Sequence, residues 1–369
     1  MAATYSWHPR VDLTAPLWPC AQPILEDELM SSWLVRTALA HGCSPLTLTN
    51  SVWPRWRAWS TDLDRGLGTV RAAQLAHLAG CATTDIEACS LAAASRIITL
   101  TRKTTSGTLP WLLARGSRNL RCAGGLQICP HCFRQSIPYY RISARLAWHV
   151  ACPVHLVRLV DRCPNCCTAL QPHRLVPPDE SCAHCHRCGV ALADAPAIPM
   201  THAEFGFQID ADDHLQKYAS GETQVAPQAR FHQAVRAISF LRAAARHQSV
   251  STERALASLE ISMTTLPISG LCLEMLSVAD RATLLGYVWA IMTTDQDQLG
   301  ELFRECPASC TAFYLQQNPP ELSGRALRAS IGQANVDPRR EKGSGQLPNS
   351  KLAVQRMWIR LWRRFLRDS

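Results

Sequence analysis

Apolar positions recur at intervals of three and four residues in several separate stretches of the chain. The first stretch includes Leu29, Met30, Trp33 and Leu34, which is the spacing of one face of a helix. Further stretches of this kind run over residues 70–80, 84–99, 228–247, 252–261, 273–293 and 296–305. The pattern therefore predicts a mainly helical protein with one group of helices near each end.

The first predicted helix starts at Glu26, with the acidic residues 26–28 in its first turn, where carboxylates interact favourably with the helix dipole. Gly42 is a suitable residue to end this helix. Trp33 shares the apolar face, so it is predicted to point into the core. Arg36 is predicted to point toward a neighbouring molecule.

Four domains are predicted from these helices and from the composition between them. The central stretch has little periodicity, many cysteines and several prolines, whereas residues 333–350 are rich in Gly, Pro, Ser and Lys and are typical of a linker. The expected fold is mainly α, with two helix-turn-helix-like domains flanking a zinc-knuckle or zinc-ribbon region. The segments are 1–120 (helical, with an extended arm), 121–199 (double zinc finger), 200–332 (helical) and 333–369 (flexible linker and basic amphipathic helix).

The chain has 17 cysteines in 369 residues. Its first residues lack the pattern of a signal peptide, and no apolar run is long enough to span a membrane. We therefore expect a cytoplasmic protein without membrane contact, in which the thiols stay reduced. Clustered, reduced cysteines indicate zinc.

Four pairs of metal-type ligands, each with a gap of two residues, lie between residues 129 and 188. Such a gap lets one turn direct both ligands at one ion, and two such turns complete a tetrahedron. The spacing between pairs predicts two zinc ions. The ligands are Cys129, Cys132, Cys152 and His155 for one ion, and Cys163, Cys166, Cys185 and Cys188 for the other.

The second site has competing candidates, including His184 and His186. A short internal repeat aligns residues 163–170 with 185–192 and places Cys167 opposite Gly189, a turn position rather than a ligand position. Cys182 remains an alternative to Cys188.

Four protein ligands close each predicted site, which favours structural zinc over catalytic zinc, because a catalytic ion keeps one position open. The chain also lacks the nucleotide-binding loop, the serine-hydrolase elbow and the His-Glu-x-x-His motif. Asp62 and Asp64 form a single acidic pair at a turn, and helix capping is their expected role. We therefore expect a protein that is not an enzyme.

The net charge is +9, and it is unevenly distributed. Residues 115–188 contain ten arginines against Asp161, Asp179 and Glu180, and residues 339–369 are also basic, whereas 189–338 is acidic. The basic segments predict contact with a polyanion. The alternative is a solvated arginine face opposed to the acidic segment of a partner copy. The candidate nucleic-acid contacts are Arg115, Arg118, Arg121, Arg134, Arg141, Arg145, Arg158, Arg360, Arg363 and Arg364.

Residues 351–367 are predicted to form an amphipathic helix with several aromatic side chains and five arginines. It can pack on the chain itself, dock in a groove of a partner or contact nucleic acid. A membrane surface is the least expected partner.

Two stretches of the sequence resemble the TniQ family, the target-selection proteins of multi-gene transposons. The first is Glu28-Leu-Met-Ser-Ser-Trp33-Leu-Val-Arg36-Thr-Ala38, which is similar to the opening helix of the family, followed by Gly42 and the Asp62-Leu-Asp64 step. The second includes the pairs at 129–132, 152–155 and 163–166, with Tyr140, Arg141 and Trp148. The resemblance covers residues 20–195, and Cys167 departs from the family pattern.

The resemblance implies a non-enzymatic adaptor that links a target-recognising element to an AAA+ ATPase and, through it, to the transposase. The target-recognising element is either target DNA or an RNA-guided surveillance complex of CRISPR type, and some family members form homodimers. The alternative is a free-standing zinc-finger transcription regulator, which would bind DNA without an ATPase partner. A zinc enzyme acting on nucleic acid is a third hypothesis, and it lacks an open metal site.

Overall fold

The computed structural model describes most of the chain. The described residues are 17–98, 109–115, 125–179, 181–247, 249–267, 270–307, 310–311 and 314. Arg118, Arg121, Arg360, Arg363 and Arg364 lie outside them, as does the predicted C-terminal helix, so the predictions made for these residues stay predictions.

Five helices form the N-terminal part of the described structure. Ser44 begins the second of them by accepting a hydrogen bond from the Thr47 amide, and Pro45 occupies its first turn. Gly80, in a left-handed conformation, ends the third. The helices are α1 (Met30–Ala40), α2 (Pro45–Val52), α3 (Thr69–Ala79), α4 (Thr83–Ala88) and α5 (Ala92–Ile98).

The central part contains little regular structure among its described residues. Helix α6 (Pro130–Gln135) begins directly after Cys129. Strands β1 (Ala151–Cys152) and β2 (Val157–Arg158) pair in antiparallel register, with Cys152 opposite Val157. Single bridges and turns connect the rest.

The C-terminal part is a group of packed helices. They are α7 (Gly206–Ser220), α8 (Pro227–His247), α9 (Val250–Ala257), α10 (Val278–Thr293) and α11 (Gln296–Glu305). Gly206 lies so close to the indole of Trp289 that a Cβ at this position would clash with its Nε1 atom. Taken together, the helices and the cysteine clusters confirm the predicted mainly helical fold with a cysteine-rich centre. None of the helices in the described part of the chain is long and apolar enough to cross a membrane.

Helix α1 differs from the prediction at its start. It begins at Met30 rather than Glu26, so the acidic residues 26–28 precede it. Asp27 has a positive φ of 56°, and its carbonyl oxygen accepts a hydrogen bond from the Ile142 amide. The chain turns here because it is tied to the central region. The predicted end of the helix is confirmed, because Gly42 follows it with a φ of 64°.

The hydrophobic cores cross the expected domain limits. One core joins the first cysteine cluster, through Cys129, Cys152 and Trp148, to helices α7–α11. A second core joins α1 residues such as Val35 and Leu39 to the second cysteine cluster. The cysteine-rich centre is thus packed against the helices on both sides.

Candidate metal centres and their supports

The first cluster, which we call centre 1, contains Cys129, Cys132, Cys152 and His155. The Nδ1 atom of His155 lies 3.5 Å from the sulfur of Cys129, 3.4 Å from that of Cys132 and 3.5 Å from that of Cys152. The sulfurs of Cys132 and Cys152 are 3.8 Å apart. The Nε2 atom of His155 lies 2.8 Å from the Oε1 atom of Gln135. In the tautomer that carries its proton on Nε2, this atom donates a hydrogen bond to Gln135, and Nδ1 keeps its lone pair for a metal.

The second cluster, centre 2, contains Cys163, Cys166, Cys185 and Cys188. The sulfurs of Cys163 and Cys188 are 3.5 Å apart, and those of Cys166 and Cys185 are 3.7 Å apart. Cys188 is exposed, so this centre lies nearer the surface than centre 1.

Both clusters can hold a metal ion, and their geometry fits zinc. A tetrahedral Zn²⁺ with Zn–S bonds of about 2.3 Å places its sulfurs roughly 3.8 Å apart. The donor separations given above, 3.4 to 3.8 Å, are close to that value, and all four donors of each centre lie within 4.8 Å of one another. Thiolates and imidazole are also the donors that Zn²⁺ prefers.

Three of the four ligand pairs share one backbone turn. A left-handed residue follows the second ligand in each case, namely Leu156 (φ 52°), Cys167 (φ 54°) and Gly189 (φ 70°). The amide of each donates to the carbonyl oxygen of the first ligand of its pair, at 2.9 to 3.0 Å. Cys167 therefore occupies a turn position, as the repeat predicts. The fourth pair is different because its second ligand, Cys132, lies inside α6.

The two turns of centre 2 are equivalent along their whole length. The Cys163 amide donates to the Thr168 carbonyl, and the Cys185 amide donates in the same way to the Val190 carbonyl. A bridge joins residues 162 and 169 in one turn and residues 184 and 191 in the other. The sequence repeat is thus a structural repeat.

Cys182 lies outside the four donors of centre 2, and Cys188 lies within them. The Cys182 side chain is fully buried. Burial raises the pKa of its thiol to about 12, and the nearby charge of Glu28 acts in the same direction. A protonated thiol in this position behaves as a small apolar side chain.

Gln208 of α7 supports the strand that carries Cys152. Its Oε1 atom accepts hydrogen bonds from the Val150 and Ala151 amides, and its Nε2 atom donates to the Ala151 carbonyl oxygen. The Gln208 side chain is buried. One amide side chain therefore pairs three backbone groups beside centre 1.

Arg281 of α10 supports the same segment from another side. Its guanidinium donates to the carbonyl oxygens of Ala147 and His149 and to the Oε1 atom of Gln127. Burial lowers the pKa of Arg281 to about 10, and the charges of Asp161 and Glu274 oppose this effect. Centre 1 is therefore held in place by side chains from two C-terminal helices.

Arg145 links the central region to the N-terminal helices. Its guanidinium donates to Asp64 at 2.7 Å, to Asp62 at 2.6 Å and to the Leu113 carbonyl oxygen. The prediction that Arg145 contacts a polyanion does not fit this position, because the side chain is buried and already paired. Asp62 and Asp64 likewise neutralise a buried arginine instead of capping a helix. Asp64 also accepts hydrogen bonds from the amide and hydroxyl of Ser31.

The predictions for Trp33 and Arg36 have different outcomes. Trp33 is fully buried, as predicted, and its Nε1 atom donates to the Gln22 carbonyl oxygen. Arg36 was expected to face a neighbouring molecule, yet it is buried and pairs with Glu28 of the same chain at 2.6 Å. Glu28 also accepts a hydrogen bond from Ser32. The contact is internal because the turn at Asp27 brings Glu28 beside α1.

The other predicted arginine contacts are divided between the interior and the surface. Arg115 is mostly buried and lies 3.4 Å from Asp64. Arg134 is exposed and donates to the Ala193 carbonyl oxygen. Arg141 lies over the Tyr139 ring at 4.6 Å, and Arg158 is half-buried on β2. Arg134, Arg141 and Arg158 keep a face toward solvent, so their contact with nucleic acid stays a prediction.

The supporting residues Gln127, Gln208 and Arg281 were not predicted from the sequence. Gln127, Gln208 and Arg281 pair with groups distant in sequence, so no local spacing identifies them. The stretch 41–61, which follows α1, does carry a local sequence signal for a basic surface. It contains two arginines and three tryptophans but no acidic residue.

These features define a mainly helical protein built around two four-donor clusters that can hold metal ions. Residues 19–159 match the model of the TniQ family, so this part of the chain is similar to that family. The match runs from the segment before α1 through centre 1, and centre 2 lies beyond it. It confirms the resemblance seen in the sequence and associates the protein with transposition. No curated protein matched the chain.

Proposed function

We propose that this protein is a non-enzymatic adaptor in DNA transposition. In this role it links a target-recognising element, either target DNA or an RNA-guided CRISPR complex, to an AAA+ ATPase and thereby to the transposase. The observation that carries the proposal is the TniQ match over residues 19–159, which includes α1 and centre 1.

The two centres would hold structural Zn²⁺ ions in this function. Each has four protein donors, and centre 1 is packed into a core shared with the C-terminal helices. A four-donor site leaves no open position for a reacting water, which favours a structural role. The zinc would then fix the relative positions of the surfaces that meet the partners.

Co-purification from cells that carry the whole element tests this function. The tagged protein is expressed from its own genomic region with the flanking genes intact, and the lysate is treated with nuclease before capture. We expect the ATPase to remain bound, because an adaptor contacts it directly. The tag on an unrelated protein is the control.

A transcription regulator would give a different result. It would bind a fixed DNA site alone and would recover no ATPase, with or without nuclease. Recovery of the ATPase only in untreated lysate would show that DNA bridges the two proteins, which contradicts direct linkage.

A further inference from the structure

Residues 41–84, which include α2 and α3, carry exposed charge of one sign. Residues 41–84 contain four arginines, no lysine and only two acidic residues, Asp62 and Asp64. The side chains of these two acids are 11% and 0% exposed, and both pair with Arg145. This segment therefore presents arginines to solvent and almost no carboxylate surface.

Three of its arginines remain free of acidic partners. Arg65 pairs with Asp62, whereas Arg55, Arg57 and Arg71 form no ion pair with any residue in the described part of the chain. Arg55 and Arg57 are exposed, and Arg71 is half-buried. Together with Trp56, these three arginines form what we call the tryptophan–arginine patch.

Trp56 gives the patch a rigid support. The Arg71 guanidinium lies 4.3 Å from the centre of the Trp56 ring. Trp56 in turn packs edge-to-face on the buried Trp53, with ring centres 5.0 Å apart. Trp53 is fixed by a hydrogen bond from its Nε1 atom to Gln74 of α3. A stacked guanidinium keeps its N–H edge available for an oxyanion.

The position of Arg71 is not explained by helix stability. It is the third residue of α3, whose first turn contains no acidic residue. A cation near a helix N-terminus is unfavourable by a few tenths of a kcal/mol, about the size of the favourable effect of an anion there. A bound anion would reverse the sign of this contribution.

We propose that the tryptophan–arginine patch binds the phosphodiester backbone of a nucleic acid, with Arg55, Arg57 and Arg71 each contacting a phosphate. Phosphate oxygens match the planar donor set of arginine. The inference rests on the proposed function, and it assigns the nucleic-acid-facing surface of the adaptor to the segment after α2 and the first turn of α3.

The test measures binding of the full zinc-loaded chain to a fluorescent 30-base-pair duplex DNA, and to one strand of it, at several salt concentrations. In the patch variant, Arg55, Arg57 and Arg71 are replaced by Gln. The slope of log K against log salt should become shallower by about 2.7 for the duplex and by about 2 for the single strand. Whichever nucleic acid, the duplex or the single strand, loses more affinity for the patch variant is the one that the patch binds.

A matched variant controls for net charge. Replacing Arg246, Arg254 and Arg304 by Gln removes the same charge from exposed positions of the C-terminal helices. Its slope should remain close to that of the wild type. The double variant Arg55→Gln/Arg57→Gln changes only exposed side chains, so it tests the patch even if loss of Arg71 disturbs folding, and it should reduce the duplex slope by about 1.8.

The proposal is overturned if the folded patch variant and the control variant bind both nucleic acids alike, or if the wild type binds neither. It is also overturned if the patch variant loses the co-purifying ATPase but keeps its nucleic-acid binding, because the patch then binds a protein. The adaptor function is judged separately, by whether the wild type recovers the ATPase after nuclease treatment.

Discussion

Arg145 donates to Asp64 across 2.7 Å, and both side chains are essentially inaccessible to water. Arg145 lies in the central region and Asp64 in the N-terminal region, so the pair joins two parts of the chain that are distant in sequence. Burial opposes ionisation of the second partner, Asp62, but the Arg145 charge holds the pKa of that carboxyl below its ordinary value. Arg145 therefore forms buried ion pairs with both carboxylates.

Replacing Arg145 with Met should destabilise the protein by about 3–5 kcal/mol, because the substitution leaves two carboxylates without their buried partner. Urea unfolding followed by circular dichroism measures this loss. Lys217→Ala is the control, since it breaks a solvent-exposed pair with Asp213 and should leave the midpoint unchanged. Equal midpoints for the two variants would contradict a supporting role for Arg145.

Metal analysis should find two zinc ions per chain. Cys129→Ser and Cys188→Ser should each reduce this number to one, because each removes one of four donors from a different centre. Inductively coupled plasma mass spectrometry of purified protein gives the ratio. A wild-type ratio of one or zero would contradict the assignment of two zinc sites.

The two substitutions should differ in their effect on folding. Cys129 belongs to the core shared with α7–α11, so Cys129→Ser should reduce helical content and solubility. Cys188 is exposed, so Cys188→Ser should leave most of the helical signal intact. Circular dichroism and sedimentation compare them. A well-folded, soluble Cys129→Ser protein would argue against a structural role for centre 1.

Cys167→Gly should stabilise the turn of centre 2 by about 1 kcal/mol, because a left-handed backbone costs an L-residue roughly 1–2 kcal/mol, partly offset by the entropy of glycine. The reciprocal change, Gly189→Ala, should destabilise the equivalent turn by a similar amount. Its new Cβ would meet no atom within 4 Å, so the effect isolates the backbone. Thermal unfolding of zinc-loaded protein should move in opposite directions for the two variants, and shifts of the same sign would contradict the shared turn.

Stability should depend on pH through His173, whose ring stacks on Trp59 at 5.3 Å beside Arg115. Burial, followed by the charges of Arg115 and Arg174, lowers the pKa of His173 from 6.5 to about 3. The unfolded chain therefore takes up a proton first as the pH falls. The contribution of neutral His173 is complete above pH 6.5 and declines as the pH falls from 6.5 toward 3.

His173→Gln should reduce this dependence. Between about pH 7.5 and about pH 5.5, its free energy of unfolding should fall by about 1 kcal/mol less than that of the wild type. This range keeps acid release of the metal small, and comparison with the wild type cancels what remains. His247→Gln, at an exposed position, is the matched control. Parallel pH profiles for the wild type and His173→Gln would rule out His173 as the titrating group.

The helices and the two cysteine clusters were accessible from the sequence because both depend on local spacing. The periodic stretch at 228–247 became α8, and each ligand pair with a two-residue gap lies within a cluster. Even the turn role of Cys167 followed from a repeat only eight residues long. These features are fixed by residues close together in the chain.

The roles of charged residues were less accessible because they depend on distant partners. Arg145 belongs to an arginine-rich segment, yet its side chain is buried and pairs with Asp62 and Asp64. Arg36 follows the spacing of a helix, but its contact depends on the left-handed turn at Asp27. Composition gives the charge of a segment, and only the fold determines which charges reach the surface.

The supports of centre 1 also constrain the order in which the protein is made. A ribosome releases all eight donor side chains before it releases Gln208 and Arg281, the two residues that hold the segment around β1. The emerging thiols therefore meet the cell without the helices that later enclose them. A metal ion bound during translation would give α7 and α10 a formed surface on which to pack.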